Sequence, residues 1–402
     1  MMPIQDLGDW LDEQQQDGVL WYVKRLSAND TYASGSHQAG FYLPKQFAFR
    51  VFPPLNNSSE LNPCVRFELK IDSHLDVRNA RAIWYNNRYH DGTRDEARIT
   101  RLGGGKSPLL DPEATGALVV FAFRFLPMTE HSVCHVWVCD NAVEEDRIED
   151  RIGPVLPGQP RIWPELLFDQ QESTPCWLEP NDIPREWLEQ FPTGAEMIAK
   201  TVELRPESYA DVDSRLIRRH KCEYELFRSL EKAVEFPRIM QGYQTMDEFL
   251  SHAQSILQRR RSRAGRSLEL HIRHIFCEED LVEDKHFSYQ PVSERTKRPD
   301  FLFPNAQAYR DPCFPVQKLR MLAVKTSLRD RWPQILEEAV RINTKNLLTL
   351  EEGVSEKQFQ EINEAGIQLV APMSLHGKYP SSVQSHLQTL ESFIGDVRLL
   401  VP

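Results

Sequence analysis

Two stretches, KRPDFLFP (297–304) and LRMLAVKTSLRDRW (319–332), decide how the second half of the chain folds. The first sets Pro299 and Asp300 at the head of a short apolar run. The second reads as a buried strand that ends on Lys325 and continues into RWPQILEEAVRI, whose apolar spacing predicts a helix carrying Glu338. Asp300 precedes Lys325 by 25 residues, and Lys325 precedes Glu338 by 13. Two acids and a lysine so placed form the minimal set for Mg²⁺-dependent hydrolysis of a phosphodiester. The acids hold the metal on the scissile phosphate, while the lysine orients the attacking water and offsets charge in the pentavalent transition state.

The pattern is that of a PD…(D/E)xK nuclease with one departure. The acid expected two residues before the lysine is Ala323. Glu338 is expected to replace it, about two turns into a helix that buries Trp332, Ile335, Leu336 and Ala339 while Glu337 points away. A lysine closing an apolar strand also needs a solvent exit or an anionic partner. Directly after that strand come Arg329, Asp330 and Arg331. An Arg fork pairs with the major-groove edge of guanine and a carboxylate accepts from the cytosine amino group, so this triplet suits adjacent G·C pairs. An N-capping Asp330 between two solvated arginines is compatible with the same residues.

The 402 residues leave room for two or three domains, each able to bury a core without staples. Seven scattered cysteines, none paired across a two-residue gap, argue against a zinc knuckle or thioredoxin-type site and fit a reducing compartment. The N-terminus MMPIQDLGDWLDEQQQ lacks a signal-peptide pattern and no long apolar span occurs, so a soluble cytoplasmic protein is expected. A formal net charge of −11 runs against DNA binding as a whole-chain property. Its distribution does not: ILQRRRSRAGR (256–266) holds five arginines and no acid, whereas EEDRIED (144–150) gathers acids. Such a run is either a solvated helix face or a phosphate-binding surface.

The first 140 or so residues alternate as strands do: VLWYVKRL, GFYLP, FAFRVF, CVRFELKI, ARAIWYN, GALVVFAFRF and SVCHVWVC. They predict a barrel-like β domain over 1–152. Residues 153–192 hold eight prolines, from Pro154 to Pro192, and are expected to be a linker largely without regular structure. From 193 to 402 the pattern turns helical: one helix on DSRLIRRHKCEYELFRSLEKAVEF, then two on TMDEFLSHAQSILQRRR and GRSLELHIRHIFCEE. Short strands then alternate with helices, which predicts an α/β sheet covered on both faces. Two lesser patterns carry no site. GGGKS (103–107) lacks the first glycine of a phosphate loop, since Thr100 stands there, and His271 with His274 is too sparse for a metal.

The segments VKRLSANDT, HQAGFYLP, RSRAGRSLELH, KRPDFLFP, LRMLAVKTSLRDRW, QILEEA and SLHGKYP, in this order over both halves, resemble those of the EcoRII-like type IIE restriction endonucleases. The resemblance implies an N-terminal all-β DNA-binding pseudobarrel. With it goes a C-terminal α/β restriction-endonuclease-like PD-(D/E)xK domain, a mixed sheet flanked by helices, whose second carboxylate has migrated to the helix. It also implies a Mg²⁺-dependent homodimer that cuts double-stranded DNA at 5′-CCWGG with the central pair flipped out. A second copy of the site is bound by the effector domain. Carried over by position, Asp300, Lys325 and Glu338 are catalytic, with the two acids as metal ligands. Arg329, Asp330 and Arg331 read the half-site, and Arg261, Arg263 and Arg266 contact DNA. The effector contacts map onto His37, Tyr42, Arg94, Glu96 and Arg98, in a pattern that departs from the family at Gly92 and Ala97, where lysines are usual. That departure implies weaker effector binding, or reliance on Arg88, Arg101 or Lys106. Glu269 is read as an ordinary helix-surface acid. Dimer contacts are expected from helices between 210 and 260, and the linker is expected to let one domain fold over the other's cleft. Two other readings stay open: a DNA-binding regulator with a dead nuclease domain, and a strand-transfer enzyme with Tyr309 as nucleophile.

Overall fold

The structure, a computed structural model, describes residues 6–34, 40–126, 131–163, 175–207, 210–294, 297–329 and 331–400. In the N-terminal half eight strands form one sheet: β1 (Leu20–Arg25), β2 (Phe41–Leu43), β3 (Cys64–Ile71), β4 (Asp76–Tyr85), β5 (Glu96–Thr100), β6 (Leu118–Leu126), β7 (His131–Val138) and β8 (Arg161–Trp163). Their order is β2-β5-β4-β3-β7-β6-β1-β8, antiparallel throughout except where β3 runs parallel to β7. Because side chains alternate along a strand, β1 and β6 feed two cores. Tyr22, Phe121 and Phe123 join Phe41, Phe47 and Phe67 on one face, and Val23, Val120 and Ala122 join Trp10 and Ile148 on the other. The second face is covered by α1 (Leu7–Gln14) and α3 (Ala142–Ile152).

Two sequence expectations change here. FAFRVF is not a strand but part of α2 (Lys45–Val51), which buries Phe47, Ala48 and Val51 at helical spacing. The proline-rich stretch is more ordered than its composition predicts. β8 pairs with β1, α4 (Arg185–Glu189) follows, and Cys176 is disulfide-bonded to Cys222 at a Cα separation of 5.2 Å. The expectation of seven reduced cysteines does not hold for that pair.

The C-terminal half opens with α5 (Gly194–Leu204) and two long helices, α6 (Val212–Gln241) and α7 (Met246–Glu278). The two helices expected between 245 and 279 are one: Thr245 caps its start, accepting from the Glu248 amide, and Gly265 passes without a break. Five strands follow: β9 (Ser288–Tyr289), β10 (Phe301–Phe303), β11 (Arg320–Lys325), β12 (Lys345–Thr349) and β13 (Ile367–Val370), with α8 (Ala306–Arg310), α9 (Glu356–Glu364), α10 (Met373–His376), α11 (Ser381–Gln384) and α12 (Leu390–Leu400). Strands β9, β10 and β11 are antiparallel neighbours, whereas β11, β12 and β13 are parallel, so the sheet is mixed. Residues alternate between its two faces. Phe301, Phe303, Leu322 and Val324 pack with α7 and α12; Leu302, Met321 and Ala323 pack with Ile335 and Ala339. The expected helix over 331–342 is instead a short 3₁₀ turn, Trp332–Glu337, with Pro333 near its start. Ala339, at φ +47, stops it. Leu336 is correspondingly exposed rather than buried.

The arginine run of 256–266 faces α6. Arg259 and Arg260 pair with Glu235 and Glu231, and Arg263 with Glu223, which also accepts from Ser267. These pairs, bidentate at Arg260 and Arg263, staple the two helices beyond the apolar contact of Leu216 with Leu268 and Ile272.

Candidate nuclease site

Asp300 lies one residue before β10 and Lys325 ends β11, so antiparallel pairing of Phe301 with Leu322 brings them together. Asp300 is 8 % exposed; its Oδ2 accepts from the Val324 amide at 2.7 Å and lies 3.9 Å from Lys325 Nζ. Glu338 caps the C-terminal end of the 3₁₀ turn in an extended conformation, not the interior of a helix as expected. Burial, and next the Asp300 charge, push its carboxyl up to about 7, with Lys325 opposing. Burial likewise raises Asp300, again against Lys325. These interactions place all three groups in one electrostatic neighbourhood. Ala323 explains how the turn reaches the strand. It is fully buried on the Lys325 face, in the cluster that holds Ile335 and Ala339, and a longer side chain there would displace that packing.

Glu269 is the residue the sequence reading set aside, and the structure corrects it. It is buried on α7, accepting from the Tyr289 hydroxyl at 3.1 Å and Gln290 Nε2 at 2.8 Å. Burial and then Asp300 raise its carboxyl to about 6, with Lys325 acting the other way. A signal was present. Glu269, Ile272 and Phe276 follow i, i+3, i+7, so the acid sits on the buried stripe of its helix. Two buried acids, Asp300 and Glu269, and the half-buried Glu338, both glutamates raised by burial and then by the Asp300 charge and with one lysine beside them, are hard oxygen donors short of positive charge, a donor chemistry that fits Mg²⁺.

The supposed base readers are engaged elsewhere in the fold. Arg329 donates from Nη1 to the Cys139 carbonyl at 2.7 Å and from Nη2 to the Asp140 carbonyl at 3.0 Å. Arg331 faces Asp146 at 3.3 Å and Glu149 at 3.9 Å, and Arg261 pairs with Asp150. All of these partners lie on α3 or just before it. Arg260 also donates to the Ile152 carbonyl at the end of α3. Asp330 lies outside the described residues. Arg263 is held by Glu223 and lies over the rings of Tyr224 and Phe227. Arg266 is exposed, on a crevice of about 330 Å³ that also has Tyr289 and Gln290 in its wall.

Tyr309 is a poor nucleophile. It is 4 % exposed, donates to Glu294, and burial with that bond pushes its hydroxyl up to about 12. In the first domain Tyr42, Arg94, Glu96 and Arg98 gather on the β2-β5-β4 edge. Tyr42 is opposite Arg98, Glu96 bridges both arginines, and Arg94 stacks 3.7 Å from the centre of the Tyr85 ring. His37 lies outside the described residues. Ala97 is fully buried, and a Cβ on Gly92 would meet Asn87 Cβ at 2.7 Å, so in this fold neither position presents a side chain to DNA.

Family models match both halves: "Restriction endonuclease EcoRII, N-terminal" over residues 15–166 and "EcoRII C terminal" over 227–394. A curated relative, "Type II restriction enzyme EcoRII" of Escherichia coli, is 41 % identical over 398 residues, covering 97 % of this chain and 96 % of its own. Among solved structures, metal-depleted Ecl18kI with uncleaved, modified DNA overlaps at a TM-score of 0.44 and 19 % identity, covering 56 % of this chain and 85 % of that one. The UbaLAI B3 domain with cognate DNA overlaps at 0.26 and 21 %, covering 36 % and 86 %. Both overlaps are too loose to weigh on the fold, whereas the family models and the full-length identity are not: the chain belongs to the EcoRII family of type II restriction endonucleases.

Proposed function

We propose that this chain is a Mg²⁺-dependent type IIE restriction endonuclease of the bacterial cytoplasm that cuts double-stranded DNA at 5′-CCWGG as a homodimer. A second copy of the site, bound on the Tyr42, Arg94, Glu96 and Arg98 edge, stimulates it. The observation that carries the reading is the pairing of Asp300 with Lys325 at the ends of two strands, with Glu338 on the turn and Glu269 on α7 both within reach of the Asp300 charge. Asp300 and Glu338 are the metal-holding acids, and Glu269 adds a third oxygen donor. The bound metal supplies Lewis-acid polarisation of the phosphate and a more acidic water. Lys325 Nζ orients that water and neutralises charge developing on the phosphoryl oxygens, and hydrolysis leaves a 5′-phosphate. Val324 keeps Asp300 turned into the site through its amide. The division proposed is 1–152 for effector binding, 153–192 as connector and 193–402 for catalysis.

The same arrangement supports autoinhibition. Arg329, Arg331 and Arg261 would read or grip DNA, yet each is held by a carbonyl or carboxylate at or beside α3. The acids of that helix stand where phosphates would. Dimerisation is supported by six exposed apolar residues at the tip of the α6–α7 hairpin: Phe236, Ile239, Met240, Met246, Phe249 and Leu250.

The deciding experiment is digestion of plasmids with no, one or several CCWGG sites, in Mg²⁺ or EDTA, followed by end sequencing. Metal-dependent cutting at CCWGG, faster on multi-site DNA and reduced at least ~10³-fold by Asp300→Ala or Lys325→Ala, is expected. Normal cutting by Asp300→Ala would sink the site assignment. Specific binding without cutting would make the protein a regulator on a nuclease fold.

A further inference from the structure

The segment that presents Glu338 is held in an uncommon backbone conformation. Ala339, directly after it, has φ +47, a left-handed geometry that an L residue adopts at a cost of about 1 kcal/mol. Such a conformation persists only where its surroundings fix it. Here they do so from both sides. The Glu294 carboxylate accepts from the Ala339 amide at 3.1 Å and the Val340 amide at 3.0 Å, and also from the Tyr309 hydroxyl. That same hydroxyl accepts from the Arg341 amide at 3.3 Å. From below, the buried Lys345 Nζ donates to the Ile342 carbonyl at 3.0 Å and the Ala339 carbonyl at 3.4 Å. The three amides that follow Glu338 are thus all satisfied by one carboxylate and the tyrosine it holds.

We infer that Glu294 is a positioning residue for the nuclease reaction: its carboxylate pins the Ala339 and Val340 amides so that the Glu338 carboxylate is delivered to the metal-holding acids. The inference rests on the proposed role of Glu338. Glu294 itself does not touch the reacting atoms; its hydrogen-bond partners are the turn amides, Ser293 and Tyr309. Its separation from Glu338 in sequence, 44 residues, hides it from any motif. The arrangement also gives Tyr309 a role consistent with its burial: it orients Glu294 rather than attacking phosphorus.

The test uses the full chain and a double-mutant cycle read by Mn²⁺ binding, with free Mn²⁺ counted by electron paramagnetic resonance, beside the Mg²⁺ dependence of cleavage. Glu338→Ala sets the scale. Glu294→Ala should weaken Mn²⁺ binding and raise the half-saturating Mg²⁺ concentration by roughly 10-fold, the range seen when a metal ligand loses its support. Glu294→Gln keeps the shape but has a single acceptor oxygen, and should lose part of that. The combined Glu294→Ala, Glu338→Ala protein should bind no more weakly than Glu338→Ala alone, because both changes remove the same ligand. Additive losses, or a Glu294→Gln protein with native metal affinity, would overturn the inference and leave the site intact. If Glu338→Ala itself changed neither readout, the assignment of Glu338 would fall, and this inference with it.

Discussion

Glu338 is an acid whose surroundings oppose its charge, and that has a measurable sign. Its folded value, about 7, lies above an unfolded value near 4.5, so the neutral carboxyl is favoured in the fold. The stability it contributes is complete below pH 4.5 and is lost as pH rises through 7. Glu338→Gln, without metal, is therefore expected to unfold at higher denaturant than the native chain at pH 8, by about 1–2 kcal/mol after allowing for solvent screening. At pH 4 the two should coincide. Added Mg²⁺ should stabilise only the native chain, and a variant equally stabilised by the ion would contradict the assignment. At this scale the sequence was informative about Asp300 and Lys325, because each flanks a short unbroken apolar run, as a strand buried on both faces must. It was uninformative about Glu269 and Glu294, whose meaning depends on partners that only the folded chain supplies.

The α6–α7 pair shows what periodicity hides. Its interface holds His220 and His271, both buried, with ring centres 5.9 Å apart. Burial depresses both, helped by the positive Arg263 nearby, and His220 falls to about 3. A base whose folded value lies below its unfolded one is stable as the neutral form. That contribution is complete above pH 6.5 and shrinks as pH falls toward 3. Between pH 7 and pH 5 the native chain should lose about 2 kcal/mol more than His220→Leu in urea unfolding; equal losses would mean that the ring is charged in the fold. The sequence did announce helix over 212–279, though as three segments and not two, with an α/β pattern after it and a β-rich first domain. It misjudged FAFRVF, where helix and strand spacing both satisfy a six-residue apolar run, and the 3₁₀ turn, where Trp332, Ile335 and Ala339 repeat at a spacing that a full helix would share. The ladder of Arg259, Arg260 and Arg263 with Glu235, Glu231 and Glu223 looked like a surface run because its partners lie 24 to 40 residues back.

For the whole molecule, the contact between α3 and the catalytic half is ionic at Arg261 and Arg331 and exposed enough to be screened. Replacing Asp146, Glu149 and Asp150 together by their amides should raise cleavage of single-site DNA, and deleting residues 1 to about 180 should raise it at least as much. A truncation no faster than the full chain would refute autoinhibition. Sedimentation should show a dimer that Met240→Glu with Phe249→Glu converts to monomer; a dimer that survives both changes would place the contact elsewhere. Each domain had a legible core in the sequence, but the surface between them did not. Gly353, at φ +113, shows how close they come: a Cβ there would lie 2.3 Å from Ala28 Cβ across the boundary.

The connector acts as a leash with two knots. Trp163 ends the strand that belongs to the first sheet, and Cys176 is tied through its sulfur to Cys222 on the long helix of the second half. Thirteen peptide steps between those anchors span at most about 45 Å, so while both knots hold, the first domain stays within that reach of the second half of the chain. At such distances a tethered blocker acts at roughly millimolar local concentration. On the proposed autoinhibition, a weak grip by α3 is enough to block the cleft while the tether holds, and the same domain added as a separate polypeptide is expected to block poorly. Reduction of the Cys176–Cys222 bond would lengthen the leash to the next anchor at α4.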